Sequence, residues 1–537
     1  MALIDVNSDT PVFLRPQVRI EPLILRWLAD HHLIPPVHRA LKVSRSHLPV
    51  LRSFLEQPKR HAEAVRIPAL RGGPFVDIPP ERTQEVRELL DRTLSSPFAP
   101  QQLADAIQAL DERLAADPGT GIERLYSEVA EPLRGLVELY YDTRHRARFR
   151  LIEPLLYRSA LYREEDQSLQ LSLAQSDERA FGYSTPRLDG PGLLTLDVPF
   201  SSPLVDLLAG LRFQARPLGE VREALRLEDE RARLLETFLT PECAPASPRY
   251  SGPGARIRYF GHASLLIETR ETAIMVDPTL GYGGLQGEAR YSFAELPERL
   301  DCVFITHAHA DHFSVETLLQ LRGRTDTVVV PRGSGGNLSD PALDAMLRAI
   351  GFRKVRALDN LETLDLPGGR ATAIPFLGEH GDLDILSKAS WLLELGGRRI
   401  FVGSDASVPE PRLYERLAPL LREVDAFFYA VEANGAPLSW GNGPLLTQPP
   451  NRQMDQTRRQ GSATGSQLSG LLELLRPRRY YSYALALEPW LRHVVATPEH
   501  EMKTRLREVE VALETCRRLG LVGERLQGRA ELRLEDA

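Results

Sequence analysis

The sequence predicts an α/β protein in two parts. Residues 1–250 read as a helix-rich N-terminal α/β domain, and residues 251–537 as an α/β or layered αββα domain. Three observations predict this. The 537 residues exceed what one core of about 250 to 300 residues holds. Pro, Ser and Gly accumulate over residues 239–256, the composition of a linker. Beyond that stretch, short apolar strands follow one another at close spacing with helical stretches between them.

Hydrophobic residues make up 42% of the chain and charged residues 26%, the balance of a soluble globular protein. Against 73 acidic side chains stand 66 basic ones, and the net charge of -7 disfavours wholesale nucleic-acid binding. Residues 1–16 contain no basic segment followed by an apolar one, and no run of about 18 apolar residues occurs anywhere. A soluble cytoplasmic protein with no membrane contact is expected. Cys243, Cys302 and Cys516 are too few and too scattered for a disulfide framework or a zinc finger, and read as reduced packing residues.

In the first half, residues 21–130 read as mostly helical. Ile24, Trp27 and Leu28 share a helical face, as do Leu103, Ile107, Leu110 and Leu114, and proline pairs at Pro35-Pro36 and Pro79-Pro80 punctuate the pattern. The basic run 142–150 reads as a solvated helix face. Strands are expected at 169–173 and 193–196. No internal repeat is present, and no chemical motif stands out in this half.

In the second half, strands are expected at 256–260, 264–269 and 272–276, the last two joined by a turn at Arg270-Glu271. Others follow at 302–305, 327–330, 372–376, 391–395, 398–402, 426–431 and 480–485. Residues 434–466 form a long Gly, Gln, Pro and Ser-rich stretch, read as a lid or a mobile loop. An amphipathic helix over 498–519 closes the chain.

The chemistry concentrates behind the apolar strand Cys302-Val303-Phe304-Ile305. Three of the thirteen histidines and one carboxylate lie in Thr306-His307-Ala308-His309-Ala310-Asp311-His312. His307 and His309, two apart, can point to one side while Asp311 and His312 reach a point nearby. Four nitrogen and oxygen donors exceed what one mononuclear zinc, iron or manganese ion takes from one loop, which implies two metals. Two later strand ends add donors: Glu379-His380-Gly381-Asp382 after residue 378, and Asp405 after Ser404. Glu379 and His380 are adjacent and cannot both point the same way on extended backbone, so chemistry alone leaves the choice between them open.

Gly261-His262-Ala263-Ser264, Val276-Asp277-Pro278, the 306–312 cluster, a group at 379–380 and Asp405 appear in the order seen in the metallo-β-lactamase superfamily, and residues 256–493 resemble it. The resemblance implies two metals at one edge of the sandwich, with Asp277 and His262 behind the ligands. Two departures separate this chain from the hydrolases of that superfamily. They carry a histidine at the third position and another after a late strand, whereas here the strand at 480–485 runs into Ala484-Leu485-Ala486 with no imidazole. His493 follows several residues on and reads as a surface or structural residue.

The whole chain resembles the diiron β-hydroxylases of the chloramphenicol pathway and their relatives, in length, in the two-part layout and in a glutamate at the third position. That resemblance selects Glu379. It implies His307, His309 and Glu379 on one iron, Asp311 and His312 on the other, and Asp405 bridging, with Glu379 and Asp405 the carboxylates closest to catalysis. Three carboxylates and three imidazoles suit oxygen-activating iron better than a histidine-rich zinc site does.

The function so implied is O2-dependent monooxygenation at the β-carbon of an amino acid tethered to a nonribosomal peptide synthetase carrier domain, in antibiotic biosynthesis. Two Fe ions in an oxo-bridged diiron centre, O2 as co-substrate and an external reductase as electron donor are expected, since no flavin or nicotinamide fingerprint is visible. The N-terminal half is expected to support homodimerisation and carrier recognition. Arg144, Arg146, Arg148 and Arg150, or Arg476, Arg478 and Arg479, are candidates for meeting an acidic carrier. The main rival is a dizinc hydrolase of a lactone or thioester, which would use His380. A flavodiiron reductase would carry Glu where His309 stands, and a nuclease would sit poorly with the acidic balance.

Overall fold

The computed structural model describes residues 8–96, 100–242, 247–432 and 434–535. Cys243 and part of the expected linker lie outside the described residues. In the N-terminal half, strands β1 (Val18–Ile24) and β2 (Gln167–Leu173) pair antiparallel at the centre of a four-stranded sheet, flanked by Trp27–Leu28 and Leu194–Leu196. Residues 21–28 correct the helical expectation. Ile24, Trp27 and Leu28 are buried together because the chain reverses at Leu25 and Arg26, whose φ values are 50° and 69°. A spacing of three and four residues is met by a two-residue hairpin as well as by a helix turn.

Helix α1 (Pro36–Lys42) starts at a proline, whose missing N–H is no loss in a first turn. Helix α2 (Pro100–Ala115) buries Leu103, Ile107, Leu110 and Leu114 as its periodicity predicts. The basic run is a solvated hairpin, not a helix: Val137–Tyr141 pairs with Ala147–Leu151, Arg146 lies on Asp142, and Arg150 lies on Glu138.

The second half is the αββα sandwich. Its first sheet is built from β3 (Ala255–Tyr259), β4 (Leu265–Glu268), β5 (Ala273–Val276), β6 (Leu300–Phe304), β7 (Thr325–Pro331) and β8 (Val355–Leu358). Its second is built from β9 (Thr363–Leu366), β10 (Gly369–Pro375), β11 (Ala389–Leu395), β12 (Arg398–Ser404), β13 (Ala426–Tyr429), β14 (Arg479–Ser482) and β15 (Val522–Arg525). The last strand, β16 (Ala530–Leu534), crosses back to the edge of the first sheet beside β3. From β5 to β8 and from β12 to β15 the neighbours are parallel, so their C-terminal ends meet along one edge of the sandwich.

Strand alternation decides which core each side chain joins. Leu265, Ile267, Ile274, Val276 and Phe304 point between the sheets, toward Trp391, Ile400, Val402 and Phe428. Their neighbours Leu266, Met275 and Val303 point outward into one core shared with the N-terminal half, which includes Ile20, Phe200 and Leu211. Helix α3 (Val315–Leu321) adds Leu318 to that layer. Helices α4 (Arg412–Leu421), α5 (Gly465–Leu475) and α6 (Glu499–Leu519) cover the outer face of the second sheet. Cys302 and Cys516 are free and buried.

Residues 434–466, read as a lid or a mobile loop, are folded against the body. Ala436 bridges to Gln460, and Gln460 Nε2 donates to the carbonyls of Pro437 and Trp440. Arg45 of the N-terminal half donates to Pro444 O and Leu446 O, and Leu445 is buried among Val37, Leu103 and Ile107. Among the described residues no helix is long and apolar enough to cross a membrane.

Candidate metal centre

The candidate residues meet at the C-terminal edge of the parallel strands. Phe304 of β6 pairs with Val276 of β5, so the 305–312 loop and Asp277 leave the sheet side by side. Glu379 follows β10, and Asp405 follows Ser404, the last residue of β12. The second sheet grips the histidine loop directly: Ala389 N donates to Thr306 O at 2.8 Å and Trp391 Nε1 to Ile305 O at 3.1 Å.

The backbone here is held in an uncommon conformation. His262 (φ 50°), Asp277 (44°), Glu379 (63°), Ser404 (52°), Ala484 (54°) and Ala486 (52°) are all left-handed without being glycine. Each costs about 1 to 2 kcal/mol, and such outliers persist where the surroundings over-determine them. Before Glu379, Gly378 has φ 73°, and a Cβ there would run into Ser407 Oγ.

Hydrogen bonds settle which histidine nitrogens are free. Asp277 Oδ1 accepts from Thr306 N at 2.7 Å; its Oδ2 accepts from Thr306 Oγ1 at 2.6 Å and from His312 Nδ1 at 2.9 Å. Thr306 Oγ1, its proton directed at Asp277, accepts from His307 Nδ1 at 3.0 Å. Ala486 N donates to His262 Nδ1 at 3.2 Å, so His262 Nε2 carries the proton and donates to Asp311 Oδ2 at 3.0 Å. The late loop without an imidazole thus orients His262 through its backbone.

What remains converges without partners. His307 Nε2, His309 Nε2, His312 Nε2, Asp311 Oδ1 and Asp405 Oδ1 are buried and take no hydrogen bond. Buried polar atoms are normally satisfied, and five unpaired donor atoms converging in one place fit a bound cation. His312 Nε2 stands 3.2 Å from Asp405 Oδ2 and 3.9 Å from Asp311 Oδ2. His309 Nδ1 stands 2.6 Å from Glu379 Oε1. Three groups bring such atoms close together: His307–His309–Glu379 and His307–His312–Asp405, which could hold an ion, and His262–Asp311–His312, in which both His262 nitrogens are already hydrogen-bonded. The first two overlap at His307, as two adjacent ions require.

The electrostatics agree. Burial disfavours a charged His312, yet Asp405, Asp311 and the bond to Asp277 pull its imidazole well above the usual range. Burial also opposes charge on Glu379, yet His309, His380 and His307 hold its carboxyl well below the usual range. His307 is pushed well down by burial and by neighbouring His312. These paired acids and imidazoles are the donors that a divalent cation would take.

His380 is buried against the His307 and His309 rings, with Nδ1 2.7 Å from Glu379 Oε2, and it belongs to none of the three groups. Of the two readings of His493, surface or structural, the second holds: it is buried and stacked on Tyr183 at 5.9 Å, away from the three groups. A fourth group, Asp30–His31–His32, lies in the N-terminal half, but the ammonium of Lys42 already occupies Asp30.

Two cavities meet at the centre. One of about 380 Å³ is lined by His309, Asp311, Glu379 and Asp405. The other, of about 310 Å³, runs between the halves past His31, Lys42 and Tyr183. His309 and Trp440 line both, with the indole edge-on to the imidazole at 5.7 Å. Sequence reading missed Trp440, and also Glu432 and Arg505, an ion pair on the wall of the first cavity. Glu432 carries the same signal as Asp405, an acid just beyond an apolar strand.

Residues 13–243 match the family described as the diiron non-haem β-hydroxylase N-terminal domain, and residues 272–436 match the β-lactamase superfamily domain. The chain is 35% identical to the 4-amino-L-phenylalanyl-[CmlP-peptidyl-carrier-protein] 3-hydroxylase of Streptomyces venezuelae, over 97% of this chain and 99% of that enzyme. Among solved structures it is similar to CmlA, a diiron β-hydroxylase from Streptomyces venezuelae. The TM-score is 0.91 at 34% identity, covering 98% of this chain and 100% of that one. A point variant of the CmlA β-hydroxylase gives 0.89 at 33% identity, covering 97% and 100%.

Proposed function

This chain belongs to the diiron non-haem β-hydroxylase family, and from that premise we propose that it hydroxylates the β-carbon of an amino acid carried as a thioester on a nonribosomal peptide synthetase carrier domain. Dioxygen is the co-substrate, an external reductase supplies two electrons, and the setting is the cytoplasm. The observation that carries the reading is Glu379 Oε1 at 2.6 Å from His309 Nδ1, a carboxylate at the position where the hydrolases place an imidazole. The absence of an imidazole from the late loop supports it and leaves the dizinc alternative without its ligand set.

His307, His309 and Glu379 would hold one iron, Asp311 and His312 the other, with Asp405 between them. The bound irons supply dioxygen activation, one oxygen atom going to the β-carbon and the other leaving as water. The chain's own residues set the frame. Asp277 holds His312 and, through Thr306, His307 in the tautomers that leave Nε2 free. His262 donates to Asp311, keeping its Oδ1 turned to the ion. Trp440 and the folded 434–466 segment wall the cavity and limit water at the reacting carbon.

We place the boundary between the halves near residue 250, with dimerisation and carrier recognition in residues 1–250 and the iron chemistry in 251–537. Arg478 precedes β14 and Arg479 opens it, so both lie at the opposite end of the strand from the centre, bound to Asp425 and Arg533 O. Of the two basic clusters, Arg144 to Arg150 is the one retained for carrier docking.

The test charges carrier domains with a panel of aminoacyl groups, adds the reduced iron-loaded protein and oxygen, and looks by mass spectrometry for the gain of one oxygen atom. Stoichiometric zinc in an active preparation overturns the reading. Free amino acid turned over as well as the tethered form overturns the carrier assignment.

A further inference from the structure

The cavity over the metal-binding side chains contains a carboxylate that the centre does not use. Glu432 lies just past β13, and its side chain is 22% exposed to the space lined by Asp311, Glu379 and Asp405. Oε1 is ion-paired with Arg505 of α6, itself buried and anchored by Nη1 to Leu485 O at 2.8 Å. Among the described residues Glu432 Oε2 takes no hydrogen bond. The arginine thus fixes one oxygen and leaves the other facing the cavity. Glu501, the other acid along this wall outside the centre, has no arginine ion-paired with it among the described residues.

The chemistry of the substrate says what that oxygen is for. A β-carbon presented to the irons has its own α-amino nitrogen two covalent bonds away, about 2.5 Å. Wherever the reacting carbon sits, the amino group lies in the same cavity. A protonated amine leaving water needs an anion to meet it. Asp311, Glu379 and Asp405 are engaged with the irons, which leaves Glu432 and Glu501, and of these two Glu432 is the one an arginine holds in a fixed orientation.

We propose that Glu432, oriented by Arg505, binds the α-ammonium group of the aminoacyl thioester and so selects for a free amine while aiming the β-carbon at the irons. The proposal rests on the diiron hydroxylase reading and deepens it. It also orders the reactions: hydroxylation precedes acylation of the amine, because an amide nitrogen offers Glu432 no positive charge. The step that consumes the product is then an amide-forming condensation.

The experiment uses the full-length iron-loaded protein and one carrier domain charged with the same side chain in three forms: free α-amine, N-acetylated and lacking the amino group. Expected is a preference of kcat/KM for the free amine on the order of 100-fold, the scale of losing a charge-assisted contact in a desolvated site. Glu432→Gln shrinks that preference to within a few-fold while iron content and the near-ultraviolet and visible spectrum stay unchanged. Comparable hydroxylation of all three forms by the wild-type protein overturns the assignment, with no variant needed. Loss of iron or an altered spectrum in Glu432→Gln also overturns it, making Glu432 a metal ligand. Hydroxylation of none of the three overturns the functional reading itself, and this assignment with it.

Discussion

Asp277 and His312 are joined at 2.9 Å, carboxylate Oδ2 to imidazole Nδ1, with neither side chain exposed to solvent. The same carboxylate accepts two further hydrogen bonds from Thr306, so one residue sets the orientation of the whole histidine loop. Asn cannot replace it, because its amide nitrogen would face donors. Asp277→Asn is expected to lower iron affinity and activity by about 10- to 100-fold. Iron per chain, set against an unchanged far-ultraviolet circular dichroism spectrum, checks this.

Glu379 and His380 make a paired test of the third position. Glu379→Ala should lose iron and reduce hydroxylation by more than ~100-fold, since it removes a donor and not merely a supporting bond. His380→Gln should keep both irons, as His380 belongs to no donor group. Metal analysis of the two variants side by side decides which residue is the ligand.

Trp440 stands between the two cavities with its ring against His309. Truncation to alanine would merge them and admit water next to the irons. Trp440→Ala is expected to consume more oxygen than it converts to product. An oxygen electrode read alongside product mass gives the ratio, which should stay near one in the wild-type protein.

Glu153 gives the stability a pH dependence remote from the metal ligands. Burial pushes its carboxyl up from 4.5 to about 7, against the hydrogen bond it accepts from Ala342 N. A folded-state value above the unfolded one favours the protonated form. The stability it contributes is full below about 4.5 and is lost as pH rises through 7, a loss of about 3 kcal/mol. Glu153→Gln should therefore gain on wild type as the pH rises from about 4.5 to 7, and the difference should level off above 7. Urea denaturation at pH 5.5 and pH 8.5, both proteins at each, measures the crossover.

Arg179 sits between Glu21 of β1 and Glu316 of α3, donating at 3.1 and 2.7 Å. Its loss removes the only cation on buried Glu316, whose remaining side-chain partner among the described residues is the Tyr282 hydroxyl, while Glu21 keeps Arg187. Arg179→Ala should cost about 3 to 5 kcal/mol, read as a lowered denaturation midpoint of the iron-free protein.

How much of this was legible in the sequence follows from where each pattern arises. The strands delivering the centre are doubly buried and read as apolar runs: Cys302 to Ile305, Ile400 to Val402 and Ala426 to Val431 all lie on or beside the observed strands. The edge strands β9, β15 and β16 went unread because solvent covers much of them and polar residues are frequent. The hairpin at Leu25-Arg26 was hidden because its turn contains neither Gly nor Asn. Glu432 and Arg505 are 73 residues apart, and only tertiary packing makes them a pair. His307 to His312 were legible because one short loop carries them all.

The outward face of the first sheet is covered by the N-terminal half, with Leu266, Met275 and Val303 in one core with Ile20, Phe200 and Leu211. Cut at residue 250, the catalytic half would emerge with a bare oily flank and aggregate. Chimaeras that exchange front halves between hydroxylases would fail for the same reason unless both sides of the seam travel together. Evolution and engineers alike must retarget such an enzyme by repainting its rim, not by swapping its modules.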